Sequence, residues 1–317
     1  MNNKKFLVMA ILLVGGLILS ACGGAQAEVA GEEAVEEAPA QEEAAQAEPA
    51  QEEAAVEVTY DESGIPVYGC LGTAEDALVD LDCQEVTVAV ENAYLPFNYI
   101  HSETHQAGGW DYTVVPEICK LLHCTPVFQE CSWDVMIQSV ADGLYDMAGD
   151  GITINDERDQ IVDFSDGYIN IQQRLLVNKG EDRFASMEEL VANPDLVVGT
   201  QVATTNYETA LKYLSEDRVN AFEQFPIAIQ ALISNDVDAV LIDEVAGLGY
   251  VGQNADQLEL IGPSLSSDEL GFVFPEGSDL VAPFNTAIQA MKDSGYLNEV
   301  NLQYFGPSFT VTYDEIQ

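Results

Sequence analysis

Positively charged residues are scarce in this sequence. Ten Lys and Arg stand against 55 Asp and Glu, which gives a formal net charge of −45 at pH 7. A surface this acidic repels phosphate backbones and anionic lipid headgroups, and this excludes nucleic-acid binding. The same charge would concentrate small cations around the protein, although solubility or a saline habitat explains the acidity equally well.

Residues that usually carry catalysis are also few. The only histidines are His101, His105 and His123, and the first two lie with Glu103 in a polar loop typical of solvated sequence. Neither GxSxG nor HExxH occurs. Glycines at 247, 249 and 252 have the spacing of the dinucleotide-binding motif GxGxxG. No βαβ unit follows them, so they do not indicate a dinucleotide site. We therefore expect no catalytic residue, no cofactor and no bound metal.

Long apolar runs are missing beyond residue 19, but one stands at the start of the chain. A basic stretch, Asn2–Lys5, precedes the apolar Phe6–Leu19, and small residues then lead to Cys22. This order is typical of a lipoprotein signal, so we expect residues 1–21 to be removed and the Cys22 thiol to be lipidated. A plain secretory signal is the alternative. The anchored protein would not span the membrane.

Residues 25–57 contain no aromatic and no basic residue, so they cannot bury enough apolar surface to fold. We expect 22–57 to be a self-repelling tether that holds a folded part away from the membrane. Residues 58–84 form an extension of unassigned role. The rest is long and apolar enough for one two-lobed unit or two domains.

Five cysteines follow Cys22, an odd number that leaves at least one free thiol unless chains cross-link. Cys70 and Cys83 bracket a short polar loop, and we expect a disulfide between them in an exported chain. The pairing of Cys119, Cys124 and Cys131 stays open. With His123, the first two of these match no common metal-ligand spacing.

Strand and helix patterns alternate from Glu85 onward. The strands are predicted at 86–90, 126–129, 147–148, 196–199 and 237–242, and the helices at 111–122, 133–142, from about 206, and at 225–234. Repeated βα units predict parallel sheets covered by helices. Ligands of such sheets bind outside the carboxyl ends of the strands.

Several motifs occur together in one order along the chain. They are Val88–Phe97, Gly109–Tyr112, Gly151–Arg158, Val162–Ser165, Val198–Thr205 and Val237–Asp243. Through them the chain resembles the amino-acid-binding, family 3 extracellular solute-binding proteins of ABC importers. The resemblance implies an α/β, two-lobed type II periplasmic-binding-protein fold. Each lobe would be a mixed, mostly parallel sheet flanked by helices, with 85–173 and 271–310 forming lobe 1, 174–270 forming lobe 2, and two strands forming the hinge.

The resemblance also implies that an α-amino acid is clamped between the lobes. Arg158 would bind the α-carboxylate with its planar fork, supported by the Gly151 backbone and the Thr153 hydroxyl. Thr204–Thr205 would present free N–H groups at a helix start, and Asp243 would accept the α-ammonium. An internal salt bridge of Arg158 and a plain helix cap at Thr204 are the alternatives.

Side-chain selectivity would come from four further residues, Glu91, Tyr94, Trp133 and Gln201. Tyr94 and Trp133 could enclose a flat or cationic group that Glu91 neutralises, although such aromatic residues are often plain core. Asp150 stands where Ser or Ala is usual in the family, and it favours a cationic ligand. We expect Arg, Lys, His or Gln rather than aliphatic ligands.

Together these features predict an extracytoplasmic, lipid-anchored and monomeric receptor that delivers an amino acid to ABC permease subunits. A dehydratase-like enzyme of the same fold and a sensory lipoprotein are the alternatives. Turnover of an amino-acid-like substrate would favour the enzyme.

Overall fold

The protein is described from a computed structural model, which covers residues 58–252 and 256–306 together with Phe309 and Val311. The predicted signal, the lipidation site Cys22 and the acidic segment up to residue 57 lie outside the described residues. Among the described helices, none has the length and apolar character needed to cross a membrane.

The strands follow the β-branched and apolar runs of the sequence, as in the segment 85–90, where Val86, Val88 and Val90 are buried. In chain order they are β1 (Thr59–Tyr60), β2 (Pro66–Val67), β3 (Glu85–Val90), β4 (Ala93–Tyr94), β5 (Asn98–Ile100), β6 (Ala107–Gly108), β7 (Thr125–Glu130), β8 (Met147–Ala148), β9 (Val162–Phe164), β10 (Ile169–Ile171), β11 (Gln173–Asn178), β12 (Val198–Gln201), β13 (Val219–Phe222), β14 (Ala239–Asp243), β15 (Leu258–Ile261), β16 (Asp268–Leu270) and β17 (Val273–Pro275).

The helices alternate with these strands. They are α1 (Trp110–Leu122), α2 (Trp133–Ala141), α3 (Met187–Ala192), α4 (Thr205–Tyr213), α5 (Phe225–Ile233), α6 (Glu244–Val251), α7 (Val281–Ser294) and α8 (Tyr296–Phe305). Gly247 and Gly249 lie inside α6, so the glycine pattern there belongs to a helix rather than to a phosphate-binding loop.

Two five-stranded sheets define two lobes. The first has the order β7-β3-β8-β17-β9, with β3 parallel to β7 and β8 and with β17 antiparallel to its neighbours. The second has the order β13-β12-β14-β11-β15, with β12 parallel to β13 and β14 and with β11 antiparallel to β14 and β15. Both sheets are therefore mixed, as the resemblance implied.

A separate pair of strands runs between the lobes. β10 pairs with β16 antiparallel, in the register Ile169↔Leu270 to Ile171↔Asp268. β10 carries the chain from the first sheet to the second and β16 carries it back, so this pair forms the hinge. The second sheet begins at Gln173, which the sequence had assigned to lobe 1.

Two predicted strands in the second lobe start later than the apolar pattern suggested. The segment predicted from Leu196 becomes strand only at Val198, and the one predicted from Val237 only at Ala239. Just before both strands, the Asp238 N–H donates to Val197 O at 2.8 Å, while the Val197 N–H donates to the Asp238 carboxylate, also at 2.8 Å. The Val197 N–H thus pairs with a side chain rather than with a neighbouring strand.

The extension 58–84 is ordered and packs on the end of α1. The Leu78 N–H donates to Leu121 O, and the Leu81 N–H donates to Leu122 O, at 2.8 and 2.9 Å. These bonds satisfy carbonyls that a helix end would otherwise leave without a partner. The extension is thus part of the folded first lobe.

Disulfides join Cys70 to Cys83, the pairing expected from the sequence, and Cys119 to Cys124, a pairing the sequence left open. Cys131, within the described range, is a buried free cysteine.

Candidate ligand-binding site

A cavity lies between the lobes at the carboxyl ends of strands from both sheets. Glu91 directly follows β3 and Asp150 follows β8 by two residues, whereas Gln201 ends β12 and Asp243 ends β14. This is the place where open α/β sheets bind their ligands.

All eleven residues predicted to bind ligand line this one cavity. They are Glu91, Tyr94, Trp133, Asp150, Gly151, Thr153, Arg158, Gln201, Thr204, Thr205 and Asp243. Asn206 and Phe225 also line it and were not predicted. Asn206 could have been inferred from its position beside Thr205 at the start of α4. Phe225 could have been inferred from its position as the first residue of the predicted helix α5.

The Arg158 guanidinium is held by a carbonyl group and an aromatic ring. Its Nη1 donates to Thr153 O at 2.9 Å, and its carbon Cζ lies 5.3 Å from the centre of the Trp133 ring. Within the described residues no carboxylate lies within ion-pair distance, which argues against the internal salt bridge. Burial lowers the pKa of Arg158, although Glu208 and Asp243 oppose that effect. The remaining N–H donors are suited to an anion.

Asp243 faces Arg158 from the other lobe and is itself hydrogen-bonded. Its Oδ2 accepts the Tyr94 hydroxyl at 2.7 Å, and its Oδ1 accepts the Asn206 amide at 3.2 Å. Burial raises the pKa of Asp243 to about 6. The Asn206 Oδ1 is buried without a hydrogen-bond partner among the described residues. Two acceptors, one of them a carboxylate, therefore lie side by side in the cavity wall.

The start of α4 supplies both a cap and free donors. The Thr204 hydroxyl accepts the Tyr207 N–H at 3.0 Å, so this side chain caps the helix, as the alternative proposed. Thr205 and Asn206 are the first helical residues, and their N–H groups have no partner inside the helix. Across the cleft, the Thr205 hydroxyl lies 3.3 Å from that of Thr153.

Gly151 occupies a position that a larger residue would disrupt. Its φ is 59°, and a Cβ atom there would come within 3.0 Å of the Tyr94 and Phe97 rings. Only glycine adopts this conformation readily and lets the backbone approach the cavity so closely.

Three buried carboxyl groups converge on one side of the cavity. Gln201 Nε2 donates to both Glu91 oxygens at 2.9 and 3.1 Å. Asn98 Nδ2 bridges the other two, at 2.5 Å from Asp150 and 2.8 Å from Asp111. Burial raises the pKa of Glu91, and the nearby Asp150 carboxylate raises it further. Burial also raises the pKa of Asp150, and it raises the pKa of Asp111 to about 7. Near neutral pH these groups retain protons unless a positive charge approaches.

The aromatic contacts differ from the predicted sandwich. The Tyr94 ring stacks with Phe97 at 5.3 Å and with Phe225 at 5.2 Å, so it serves as a core residue whose hydroxyl reaches Asp243. Trp133 instead packs against Arg158 and donates its Nε1 hydrogen to Ala203 O at 3.3 Å.

Hydrogen bonds cross from one lobe to the other at four places around the cavity, one of them the Thr153–Thr205 hydroxyl pair described above. The other three join Tyr94 to Asp243, Glu91 to Gln201, and Trp133 to Ala203. The lobes are therefore in a closed arrangement.

Residues 86–307 match the family model described as bacterial extracellular solute-binding proteins, family 3. The chain belongs to this family. This family 3 protein is 28% identical over 228 residues to the L-cystine-binding protein TcyJ of Escherichia coli (strain K12), covering 70% of this chain and 83% of the relative.

Solved structures agree with the family. An ancestral arginine-binding protein bound to glutamine has a TM-score of 0.65 and 31% identity, covering 70% of this chain and 98% of its own. The ancestral amino acid-binding protein AncCDT-1, a precursor of cyclohexadienyl dehydratase, has a TM-score of 0.65 and 28% identity, covering 70% and 95%. The two-lobed type II fold is thus shown, and the extension 58–84 lies outside the family match.

Proposed function

We propose that this family 3 solute-binding protein captures a cationic α-amino acid between its lobes and delivers it to an ABC permease. The observation that carries the proposal is the pairing of two kinds of group in one cavity. On one lobe, the Arg158 guanidinium has no acidic partner among the described residues. On the other lobe, the Asp243 carboxylate lies beside Asn206 Oδ1, which has no hydrogen-bond partner among those residues. Arg158 would bind the α-carboxylate, with donors from Thr205 and Asn206. Asp243 and the Asn206 oxygen would bind the α-ammonium.

The charge of the ligand side chain is inferred from Glu91 and Asp150. Both carboxyl groups are buried in the cavity wall, and within the described residues neither makes an ion pair. Ionising a buried carboxyl is costly unless a cation compensates it. A ligand with a positive side chain supplies that cation, and the similarity to an ancestral arginine-binding protein bound to arginine supports this choice.

The cellular setting follows from the first residues of the chain. The apolar run before Cys22 supports removal of residues 1–21, lipidation of the Cys22 thiol and an acidic tether to residue 57. In this proposal the protein is monomeric, has no cofactor and reaches the membrane only through its lipid. A sensory receptor would use the same pocket, and binding experiments do not distinguish it from an importer subunit, whereas loss of uptake in a deletion strain does.

An enzyme of the same fold is the second candidate. The similarity to a precursor of cyclohexadienyl dehydratase favours it, as do protonated carboxyl groups at Glu91 and Asp150 that could act as general acids. NMR of the protein with cyclohexadienyl acids and with each bound amino acid separates the two. Accumulation of product would establish the enzyme and overturn the binding-only proposal.

The deciding experiment is a thermal-shift screen of the full chain against the twenty amino acids, ornithine and citrulline. Ligand binding to the native state raises the melting temperature by mass action. We expect shifts with arginine, lysine or ornithine, and a much smaller one with citrulline, which matches arginine in shape without its charge. Equal shifts with arginine and citrulline would contradict the cationic assignment, and no shift with any amino acid would overturn the proposed function.

A further inference from the structure

The two disulfides of the protein differ in exposure. Cys70 and Cys83 are both exposed, whereas Cys119 and Cys124 are fully buried. The exposed bridge lies in the extension, outside the region that matches the family. Exposed disulfides are the ones that solvent-borne thiols can attack.

The histidine that directly follows α1 contacts the exposed bridge. His123 Nε2 lies 3.2 Å from Cys83 Sγ, and its Nδ1 lies 2.7 Å from the Asp80 carboxylate. The two sulfur atoms and the imidazole nitrogen all lie within 4.8 Å of one another. An acid, an imidazole and a sulfur are thus connected in series, as in sites that activate a nucleophile or stabilise a leaving group.

Two sources of negative charge lie near the His123 imidazole. His123 is the C-cap of the thirteen-residue helix α1, where the partial negative charge of the helix end attracts a cation. The hydrogen bond from His123 lowers the pKa of Asp80, which keeps that carboxylate ionised. In the imidazolium form Nδ1–H donates to Asp80, and Nε2–H is directed at Cys83 Sγ.

Backbone hydrogen bonds hold both cysteines in place independently of the sulfur–sulfur bond. The Cys83 N–H donates to His123 O at 2.9 Å, and the Leu71 N–H, next to Cys70, donates to Cys124 O at 2.9 Å. Opening the bridge therefore leaves Cys83 beside His123, so the disulfide can open and close without unfolding the extension.

We propose that Cys70–Cys83 is a redox-active disulfide that exchanges with a dithiol, with His123 assisting departure of Cys83. The dithiol attacks Cys70 Sγ as its thiolate, the S–S bond breaks, and its electron pair passes to Cys83 Sγ, which takes the His123 Nε2 proton. The second thiol of the reagent then displaces Cys70 from the mixed disulfide. Two electrons reduce the bridge, and the reagent leaves as a disulfide.

The test uses the full folded chain and dithiothreitol as the dithiol. Samples are quenched at intervals with an alkylating reagent, and mass spectrometry of peptides follows each disulfide separately. We expect Cys70–Cys83 to open while Cys119–Cys124, the internal control, stays closed. His123→Asn should slow opening on the order of tenfold, because the departing Cys83 sulfur loses its proton donor.

Asn suits this substitution because it tolerates the left-handed backbone at His123, where φ is 53°. His105→Asn is the matched control, since His105 also has a left-handed φ of 54°, and its rate should equal that of the wild type. Asp80 acts as a positioning residue: Asp80→Ala should slow opening, and Asp80→Glu should restore part of the rate. Two outcomes would overturn the proposal. One is that Cys70–Cys83 opens at the wild-type rate in His123→Asn while the melting temperature and the buried disulfide are also unchanged. The other is that both disulfides of the wild type open at the same rate.

Discussion

Arg158 and Trp133 form the most informative contact at the residue scale. The guanidinium rests on the indole ring 5.3 Å from its centre, and its one hydrogen bond to a described residue goes to the Thr153 carbonyl. An Arg held by neutral groups keeps its charge available for an incoming anion. Its planar fork, rather than its charge alone, would determine how a carboxylate is oriented.

Arg158→Lys should therefore weaken binding of L-arginine by about tenfold or more, because an ammonium cannot reproduce the bidentate pairing. Arg158→Ala should cost on the order of 2–5 kcal/mol of binding free energy. Isothermal titration calorimetry gives both values. Arg174→Lys is the matched control, since Arg174 pairs with Glu244 outside the cavity wall and its replacement should leave affinity unchanged.

The buried carboxyls make stability depend on pH. A carboxyl group whose pKa is higher in the folded than in the unfolded protein binds more protons in the native state. Its contribution to the free energy of unfolding is complete at pH values below its pKa in the unfolded protein. That contribution is lost as the pH rises through its pKa in the folded protein. Burial raises the pKa of Asp150, brings that of Asp111 to about 7 and that of Asp243 to about 6. The ligand-free protein should thus lose stability as pH rises from about 4 to about 8.

Asp150→Asn should reduce that loss by at least about 1 kcal/mol, since one unit of pKa shift corresponds to about 1.4 kcal/mol. The amide oxygen can still accept the Asn98 hydrogen bond. Urea unfolding without ligand at pH 5 and pH 8 measures the difference. Asp156→Asn removes a carboxyl group from an exposed residue and should leave the pH dependence as in the wild type. If the two variants behave alike, the general acidity of the chain rather than this buried group is responsible.

The sequence identified the residues that touch the cavity better than it identified their partners. Motif order along the chain was enough to place Arg158 and Asp243 in one site. The bridge from Asn98 to Asp111 and Asp150 joins three separate segments, and no local pattern records such a convergence. The stacking partner of the Tyr94 ring was not predictable for a similar reason, because Phe225 comes from the other lobe.

At the element scale, the extension and the end of α1 are in close backbone contact. Gly72 has a φ of 74°, and a Cβ atom there would lie 2.0 Å from the Lys120 carbonyl oxygen. Backbone meets backbone at this point, so no side chain can move aside to relieve a clash.

Gly72→Ala should lower the free energy of unfolding by about 2 kcal/mol or more, because the left-handed conformation alone costs roughly 1–2 kcal/mol for an L-residue. Urea denaturation measures the change, and limited proteolysis shows whether the extension has detached. Gly69→Ala is the control, since nothing lies within 4 Å of a Cβ at that exposed site. Equal stability of the two variants would mean that the extension is not docked as described.

Element positions were largely predictable where apolar periodicity and chain geometry agree. The strand at 147–148 and the helices beginning at Trp133 and Phe225 start where expected. The Cys119–Cys124 disulfide was not predictable, because it depends on His123 adopting a left-handed conformation that turns the chain back at the end of α1.

At the scale of the whole molecule, net charge dominates. A formal charge of −45 produces an attractive field for a positive ligand, and dissolved salt screens that field over about 10 Å at 0.1 M.

The association rate of L-arginine should therefore fall severalfold between low salt and about 0.5 M NaCl. Stopped-flow fluorescence can follow binding through Trp133, which lines the cavity. Lysine should behave like arginine, whereas the weaker binding of neutral glutamine or citrulline should show little salt dependence in rate. The same salt dependence for charged and neutral ligands would exclude electrostatic steering.

The strand order of the first sheet has a consequence for how the molecule is made. β17 lies between β8 and β9, yet it is the last strand of either sheet along the chain. During synthesis from the N-terminus, the second lobe has all its strands once Ile261 has emerged, while β9 still has no neighbour to pair with. The first lobe closes only after Val273–Pro275 inserts into its interior. The complete cleft between the lobes can therefore form only after this strand has emerged.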